Sequence, residues 1–381
     1  MRHCIFLFVL CLLLAGCAQP QPEPAAETTL PSAPQPTAAT TAATEPPDPL
    51  QLILQGMTTE EKVGQLFLAR CPAENAISDI QDYHLGGYIL FGRDFQKETP
   101  DSLRQTLQAY QDAASLPMLM AVDEEGGSVC RVSSNPVFRA SRFPSPREAY
   151  AQGGLEQVLS VETEKARLLH SLGINVNMGP VCDITTDAGA FMYPRSLGEG
   201  PRETGRFAAS AVQIMKQQKV GSVLKHFPGY GNTADTHTGM ATDQRTLEEL
   251  EQQALIPFSS GIQAGCDAIL ISHTIVSAFD PELPASLDPS IHRYLRETMG
   301  FEGVIITDDL VMQAITDSFG TEEAAVLAVL AGNDLLCSTE YPLQYPAVLQ
   351  AVQEGRISME QLNAAVMRIL RWKQALGLIC E

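Results

Sequence analysis

One stretch of the chain carries most of its recognisable chemistry: Lys225-His226-Phe227-Pro228-Gly229-Tyr230-Gly231-Asn232-Thr233-Ala234-Asp235-Thr236-His237. A Lys-His pair ends an apolar run, a Gly/Pro-rich loop follows, and an Asp-x-His pair closes it. A loop built on Pro228, Gly229 and Gly231 has no core of its own to fill, so polar groups held there serve chemistry rather than packing. Asp235 and His237 lie two residues apart, close enough for the carboxylate to hydrogen-bond the imidazole and set its tautomer and basicity. Such a pair moves protons near neutral pH.

Other segments supply complementary groups. In Val304-Ile305-Ile306-Thr307-Asp308-Asp309 a hydrophobic strand ends in two carboxylates. Neighbouring residues leave a strand in opposite directions, so Asp308 is expected at the site, with Asp309 capping the next helix or bracing the strand. Val122-Asp123-Glu124-Glu125-Gly126-Gly127 places acids beside two glycines that permit close backbone approach. Asp123 can accept bidentate hydrogen bonds from vicinal hydroxyls, with Arg131 within reach and Arg195 on a further loop. Carboxylates, Lys, Arg and His around one cavity, without the glycine spacings that cradle phosphates, fit a polyhydroxylated ligand. No metal-ligand cluster or cofactor motif appears.

The elements that must position these residues follow an alternating rhythm. Apolar runs are predicted as strands at Leu66–Ala69, Gly87–Phe91, Met118–Val122, Ile174–Met178, Val220–Leu224, Ala268–Ser272, Val304–Thr307 and Asp334–Cys337. Most are β-rich or wholly apolar, as strands buried on both faces are. Helices are predicted near Ala76–Tyr83, Ser102–Ala114, Leu155–Leu172, Glu203–Gln217, Leu247–Gln263, Pro289–Thr298, Glu322–Ala331, Pro346–Gln353 and Met359–Ala375. Thr58 and Glu61 fit a capping box opening a short helix before the first strand. Eight strand–helix repeats predict an α/β fold, a single (β/α)8 TIM-type barrel, with an open doubly wound sheet as the alternative. Arg70, Arg93, Asp123, Asp183, Lys225, His226, His273 and Asp308 stand at or just beyond strand ends, which in a closed barrel converge on one mouth.

Composition bounds the setting. The chain has 381 residues and a formal net charge of −20, which excludes the basic footprint of nucleic-acid binding and adhesion to anionic lipid. Arg2 and His3 precede an apolar run, Cys4 to Ala15, of signal-peptide size. It ends Leu14-Ala15-Gly16-Cys17, which resembles a bacterial lipobox. That order predicts a signal peptide over 1–16, lipidation at Cys17, and a disordered Pro/Thr/Ala/Glu-rich linker over 17–49. The globular part is 50–381, large for a sandwich and ordinary for a barrel. The expected protein is extracytoplasmic, monomeric, and joined to the membrane only through its lipid anchor. Cys71, Cys130, Cys182, Cys266, Cys337 and Cys380 are widely spaced, and free buried thiols are favoured over disulfides.

Taken together these residues resemble glycoside hydrolase family 3, in particular its NagZ-type β-N-acetylhexosaminidases. The motifs are Glu61-Lys62-Val63-Gly64-Gln65-Leu66-Phe67, Gly86-Gly87-Tyr88-Ile89-Leu90-Phe91, Asp123-x-Glu125-Gly126-Gly127, Lys225-His226-Phe227-Pro228-Gly229, Asp235-x-His237 and Thr307-Asp308-x-Leu310-x-Met312. They cover the chain beyond the linker. The resemblance implies a retaining hydrolase for N-acetylglucosamine-containing cell-wall or chitin-type saccharides, working without a cofactor. Asp308 would form a covalent glycosyl-enzyme, and His237 paired with Asp235 would serve as acid and base. Asp123, Arg131, Arg195, Lys225 and His226 match positions that hold sugar hydroxyls and the N-acetyl group. Ser128, Tyr230 and Asn232 depart from the family pattern, which has Arg, His and Asp there. Trp372 is expected to pack in the terminal helix, leaving the sugar to polar contacts rather than an indole platform. Three rival readings are a β-glucosidase of the same family, a β-N-acetylglucosaminide phosphorylase and a non-catalytic solute-binding lipoprotein. The first usually needs a second domain for its acid; the second follows if a His acid admits phosphate as acceptor.

Overall fold

A computed structural model describes residues 48–236 and 239–380. The expected signal segment, Cys17, all but the end of the linker, and His237 lie outside them. Eight parallel strands make one sheet: β1 Phe67–Arg70, β2 Gly87–Leu90, β3 Leu119–Val122, β4 Val176–Asn177, β5 Gly221–Phe227, β6 Ala268–Ile271, β7 Val304–Thr307 and β8 Leu336–Ser338. Strands adjacent in the chain from β1 to β7 are adjacent in space, and β8 pairs with β1 through Phe67 opposite Leu336. Ile306 and Leu335 bridge β7 to the approach of β8, closing the ring. This is the (β/α)8 barrel, without the order reversal of a doubly wound sheet. The strands are short and apolar because one face fills the barrel interior and the other meets the helices; Met120, Val223, Ile269 and Ile305 are all fully buried.

Helix boundaries follow local chemistry. Thr58 and Glu61 form the capping box: the Glu61 N–H donates to Thr58 Oγ1 at 3.2 Å, and the Thr58 N–H donates to Glu61 Oε2 at 2.8 Å. The helix predicted at Leu155–Leu172 begins earlier, within Pro146–Ser171, and is broken at Gly153 and Gly154, where Gly154 has φ 64°. The helix over Leu247–Gln263 is interrupted by a π turn at Leu250–Ala254. Pro257 has no N–H for the Gln253 carbonyl, and a widened turn accommodates it. The helix predicted from Pro346 starts at Tyr341 instead, with Pro342 in its first turn and Pro346 inside.

Two local features aim residues at the mouth. Between β5 and β6, Leu224 pairs with Ile269 and Phe227 with Ile271, so β5 carries one extra residue there. This bulge spans Lys225 and His226 and extends β5 beyond its predicted end at Leu224, turning both side chains toward the mouth rather than to opposite faces. After β3, Glu124–Gly126 and Val129–Cys130 form a small antiparallel ribbon. A Cβ at Gly126 would lie 2.2 Å from the Pro144 carbonyl oxygen, so only glycine fits where the ribbon meets that loop. At the opposite end of the barrel, Trp372 packs as expected, 4% exposed.

Candidate active site

The mouth encloses a cavity of about 690 Å³. Asp123, Arg131, Arg195, Lys225, His226, Asp235 and Asp308 all line it, so every described residue assigned a role in binding or catalysis from the sequence reaches one space. A groove of about 790 Å³ opens alongside, sharing Ser128 and Pro194. Its only acid is Glu148, committed to capping Ser145. Of these two, the smaller gathers the carboxylates and cations that acid–base chemistry needs.

Its wall is a connected charge network. Lys225 Nζ donates to Asp123 Oδ1 at 2.6 Å and stands 2.7 Å from Glu125 Oε1. Arg195 grips Glu125 with two parallel bonds, Nε to Oε2 at 2.8 Å and Nη2 to Oε1 at 2.7 Å. Burial alone would raise the Glu125 pKa, but the charges of Lys225 and Arg195 hold it well below the ordinary carboxylate range. Burial likewise disfavours the Lys225 charge, and Asp123 and Glu125 overcome it, leaving its pKa raised. Two of the three ammonium protons are thereby used, leaving one for a ligand. Asp123 keeps Oδ2 more open, with Arg131 Nη2 at 4.0 Å, as a hydroxyl acceptor requires.

His226 is more constrained than its sequence position implied. Its Nδ1 lies 2.8 Å from Asp183 Oδ2, and its Nε2 lies 3.1 Å from Arg195 Nη2. Arginine only donates, so Nε2 accepts and the proton sits on Nδ1, directed at Asp183. Both ring nitrogens are committed to the protein, and His226 orients Arg195 as well as facing the cavity. Asp183 does not line the cavity. It braces it from behind, also accepting from the N–H groups of His226 at 3.2 Å and Tyr230 at 2.7 Å.

Asp308 continues the barrel ladder, its N–H donating to the Ile271 carbonyl at 3.1 Å. The Asp309 N–H donates to Asp308 Oδ1 at 2.9 Å, fixing one carboxylate oxygen. Asp309 braces rather than caps a helix: Oδ1 accepts from the Val311 N–H at 3.2 Å and the Thr339 N–H at 3.1 Å, tying β7 to the end of β8. Besides Asp183, two residues expected at the mouth do not line the cavity. The Arg93 guanidinium turns to the Cys71 carbonyl and lines a separate pocket of about 340 Å³. His273 packs behind the site, between Ser286 Oγ at 2.7 Å and the Asp309 carbonyl at 3.0 Å.

Sequence reasoning passed over several contributors. Glu125, the hub of the network, stands in the sequence as one acid of a motif, and its partner Arg195 is 70 residues away. Arg70 and Arg131 stack over Phe91, at 4.5 and 5.4 Å from its centroid, and Arg195 lies 5.4 Å from the Phe191 centroid. The cavity therefore has aromatic faces although it has no indole. Tyr230 also lines it, 1% exposed. The expectation that all six cysteines are buried holds for Cys71, Cys130, Cys182, Cys266 and Cys337, whereas Cys380, near the chain end, is exposed.

Among the described residues, no group of three His, Cys, Asp or Glu is placed to hold a metal ion. The arrangement can grip hydroxyls on the β3–β5 side of the mouth and present the Asp308 carboxylate from β7 to the same ligand.

Comparison with known proteins agrees with this geometry. The family model described as "Glycosyl hydrolase family 3 N terminal domain" matches residues 58–372. The protein "Beta-hexosaminidase LpqI" of Mycobacterium tuberculosis is 30% identical over 330 residues, covering 83% of this chain and 83% of that protein. A "Beta-hexosaminidase" of Xanthomonas axonopodis pv. citri is 33% identical over 306 residues, covering 78% and 87%. The solved structure of a glycoside hydrolase family 3 beta-N-acetylglucosaminidase from Paenibacillus superposes with a TM-score of 0.80 at 33% identity. That match covers 85% of this chain and 64% of the Paenibacillus chain.

Proposed function

The chain belongs to glycoside hydrolase family 3, and from that premise we propose that it is a retaining β-N-acetylhexosaminidase removing terminal N-acetylglucosamine from cell-wall or chitin-type saccharides. One observation carries the reading: a connected Asp123–Lys225–Glu125–Arg195 network and two further carboxylates, Asp308 and Asp235, face one cavity. The network is a hydroxyl-binding surface whose charges are internally balanced, so it grips a neutral sugar without importing a counter-ion. Asp123, Arg131 and Lys225 contact hydroxyls directly, and His226 holds Arg195 in place for them.

In the first step an Asp308 oxygen attacks the anomeric carbon, and the bond to the leaving oxygen breaks as that oxygen takes a proton from His237. The product is a glycosyl ester on Asp308. In the second step His237 removes a proton from water, the water oxygen attacks the same carbon, and the ester bond to Asp308 breaks. Two inversions give net retention. Asp235 supports the imidazolium that precedes the first proton transfer and is regenerated by the second, as a carboxylate beside an acid–base histidine does.

Release of nitrophenol from p-nitrophenyl β-N-acetylglucosaminide tests the activity. Turnover by the wild type that disappears in Asp308→Asn supports it; no turnover, with Asp308→Asn behaving like the wild type, rejects it in favour of a binding protein. Running the reaction with phosphate decides the acceptor, since predominant sugar 1-phosphate would make the protein a phosphorylase.

The run Leu14-Ala15-Gly16-Cys17 supports a bacterial lipoprotein, diacylated at Cys17 and held outside the cytoplasm by a linker of about 3.1 Å per extended residue. We take it to act as a monomer in cell-wall turnover. Among the described residues, no helix is long and apolar enough to cross a membrane. Detergent-phase partitioning that Cys17→Ala abolishes is the expected result; equal partitioning of both would reject lipidation.

A further inference from the structure

The loop carrying Asp235 and His237 poses a mechanical problem. Of its first residues, Pro228 to Gly231, two are glycines and Tyr230 alone carries a large side chain, yet proton transfer demands that an acid be held to within a fraction of an ångström. At the stem, Arg245 joins the two ends of the loop: Nη2 donates to the Gly229 carbonyl at 2.5 Å, while Nε lies 2.9 Å from each Asp243 carboxylate oxygen. Nearer the tip, one side chain reaches across. The Tyr230 hydroxyl lies 2.5 Å from Thr236 Oγ1. Thr236 is fully buried and is covalently placed between Asp235 and His237.

We propose that Tyr230 is a positioning residue for the reaction: its phenol anchors Thr236, the residue that stands in the chain between Asp235 and His237. The phenol is itself well fixed. Its backbone N–H donates to Asp183 Oδ1 at 2.7 Å, and its ring meets His226 and Phe191 edge to face at 5.3 and 5.8 Å. Asp183 also holds the His226 ring, so a single buried carboxylate fixes both the histidine that orients Arg195 and the tyrosine that bonds Thr236. Tyr230 acts through Thr236 and exchanges no proton with substrate.

The inference rests on the proposed acid role of His237, and the test separates the two. Full-length Tyr230→Phe keeps the ring contacts and removes only the hydroxyl. Its kcat is measured on N,N′-diacetylchitobiose, whose sugar leaving group needs protonation, and on the p-nitrophenyl glycoside, which needs it far less. The expected result is a fall of about tenfold on chitobiose and under threefold on the aryl glycoside, with KM on both within twofold of wild type. Thr236→Val should reproduce that split, and the double variant should be no worse than either single one, because both delete the same bond. Equal falls on both substrates, additive losses in the double variant, a rise confined to KM, or no change would each overturn the proposal. His237→Ala is assayed alongside. If it shows no leaving-group dependence, the acid assignment fails and this inference with it; if it does and Tyr230→Phe does not, only the inference falls.

Discussion

Replacing Glu125 with Gln tests the charge network at its hub. The Glu125 side chain is 1% exposed and accepts from two cations, Arg195 through both oxygens and Lys225 through one. Glutamine has the same shape but only one acceptor oxygen, and its amide must point N–H groups at one of those cations. Breaking a buried ion pair from one side costs about 3–5 kcal/mol, because the remaining charge stays buried without its partner. At about 2.1 cal/mol/K of unfolding entropy per residue, a folded unit of this size loses about 1.5 °C per kcal/mol, so Tm falls by about 4–7 °C. The same change lets Lys225 and Arg195 relax out of position, and kcat/KM on the aryl glycoside should fall about a hundredfold. The effect is pH-dependent. Because the folded pKa of Glu125 is depressed from the ordinary carboxylate value of 4.5, its stabilisation is complete above that pH and fades as pH falls further toward the lower folded pKa. The wild-type advantage in Tm, followed by scanning calorimetry, should therefore be constant from pH 8 to about 5.5 and shrink at pH 3–4. A Tm within 1 °C of wild type at pH 7 and unchanged kcat/KM would refute the network's role.

Further expectations concern the opposite end of the barrel. A Cβ at Gly221 would lie 2.8 Å from Trp372 Nε1, so Gly221→Ala should destabilise by about 1–3 kcal/mol in urea unfolding. Burial pushes the Lys373 ammonium down to about 7 from 10.5, with Gln65 Oε1 at 2.6 Å beside it. The unfolded chain then binds the extra proton between those values, and stability should rise with pH from about 7 toward 10.5 on account of this group. Lys373→Met should lack that rise, and parallel pH slopes in the two proteins would count against it. In native protein Cys380 should react quickly with an aromatic disulfide reagent while the five buried thiols wait for denaturation, and Cys380→Ser should abolish the fast phase.

What was legible in the sequence, and what was not, divides along the range of the interactions. Val304–Thr307 forms a strand with the predicted bounds because a run of four apolar or β-branched residues buried on both faces has no other use. Asp308 and Asp123 were legible as site residues because a carboxylate ending such a strand in a closed barrel faces the mouth. The same rule misplaced Arg93 and His273, and Asp183, which sits behind the cavity wall. Whether a strand-end side chain turns inward depends on competing partners, here the Cys71 carbonyl and Ser286, that no local pattern announces. Glu125 looked like one of three equivalent acids. Its neighbour Glu124 instead accepts from the N–H groups of Arg131, Val132 and Ser133 and holds the ribbon. Only long-range pairing with Arg195 and Lys225 distinguishes the two. Tyr230 stood out from the sequence merely as a departure; its burial beside Thr236 supplies a reason for a phenol at that position.

The most direct test of the central proposal is to trap the intermediate. Full-length protein is incubated with a fluorinated N-acetylglucosaminyl fluoride that forms the glycosyl ester quickly and hydrolyses it slowly, then quenched, digested and mapped by mass spectrometry. The expected result is one sugar adduct on the peptide containing Asp308, absent in Asp308→Asn. An adduct on another carboxylate, or turnover of the substrate with no adduct at any time, would contradict the assignment of Asp308 as nucleophile.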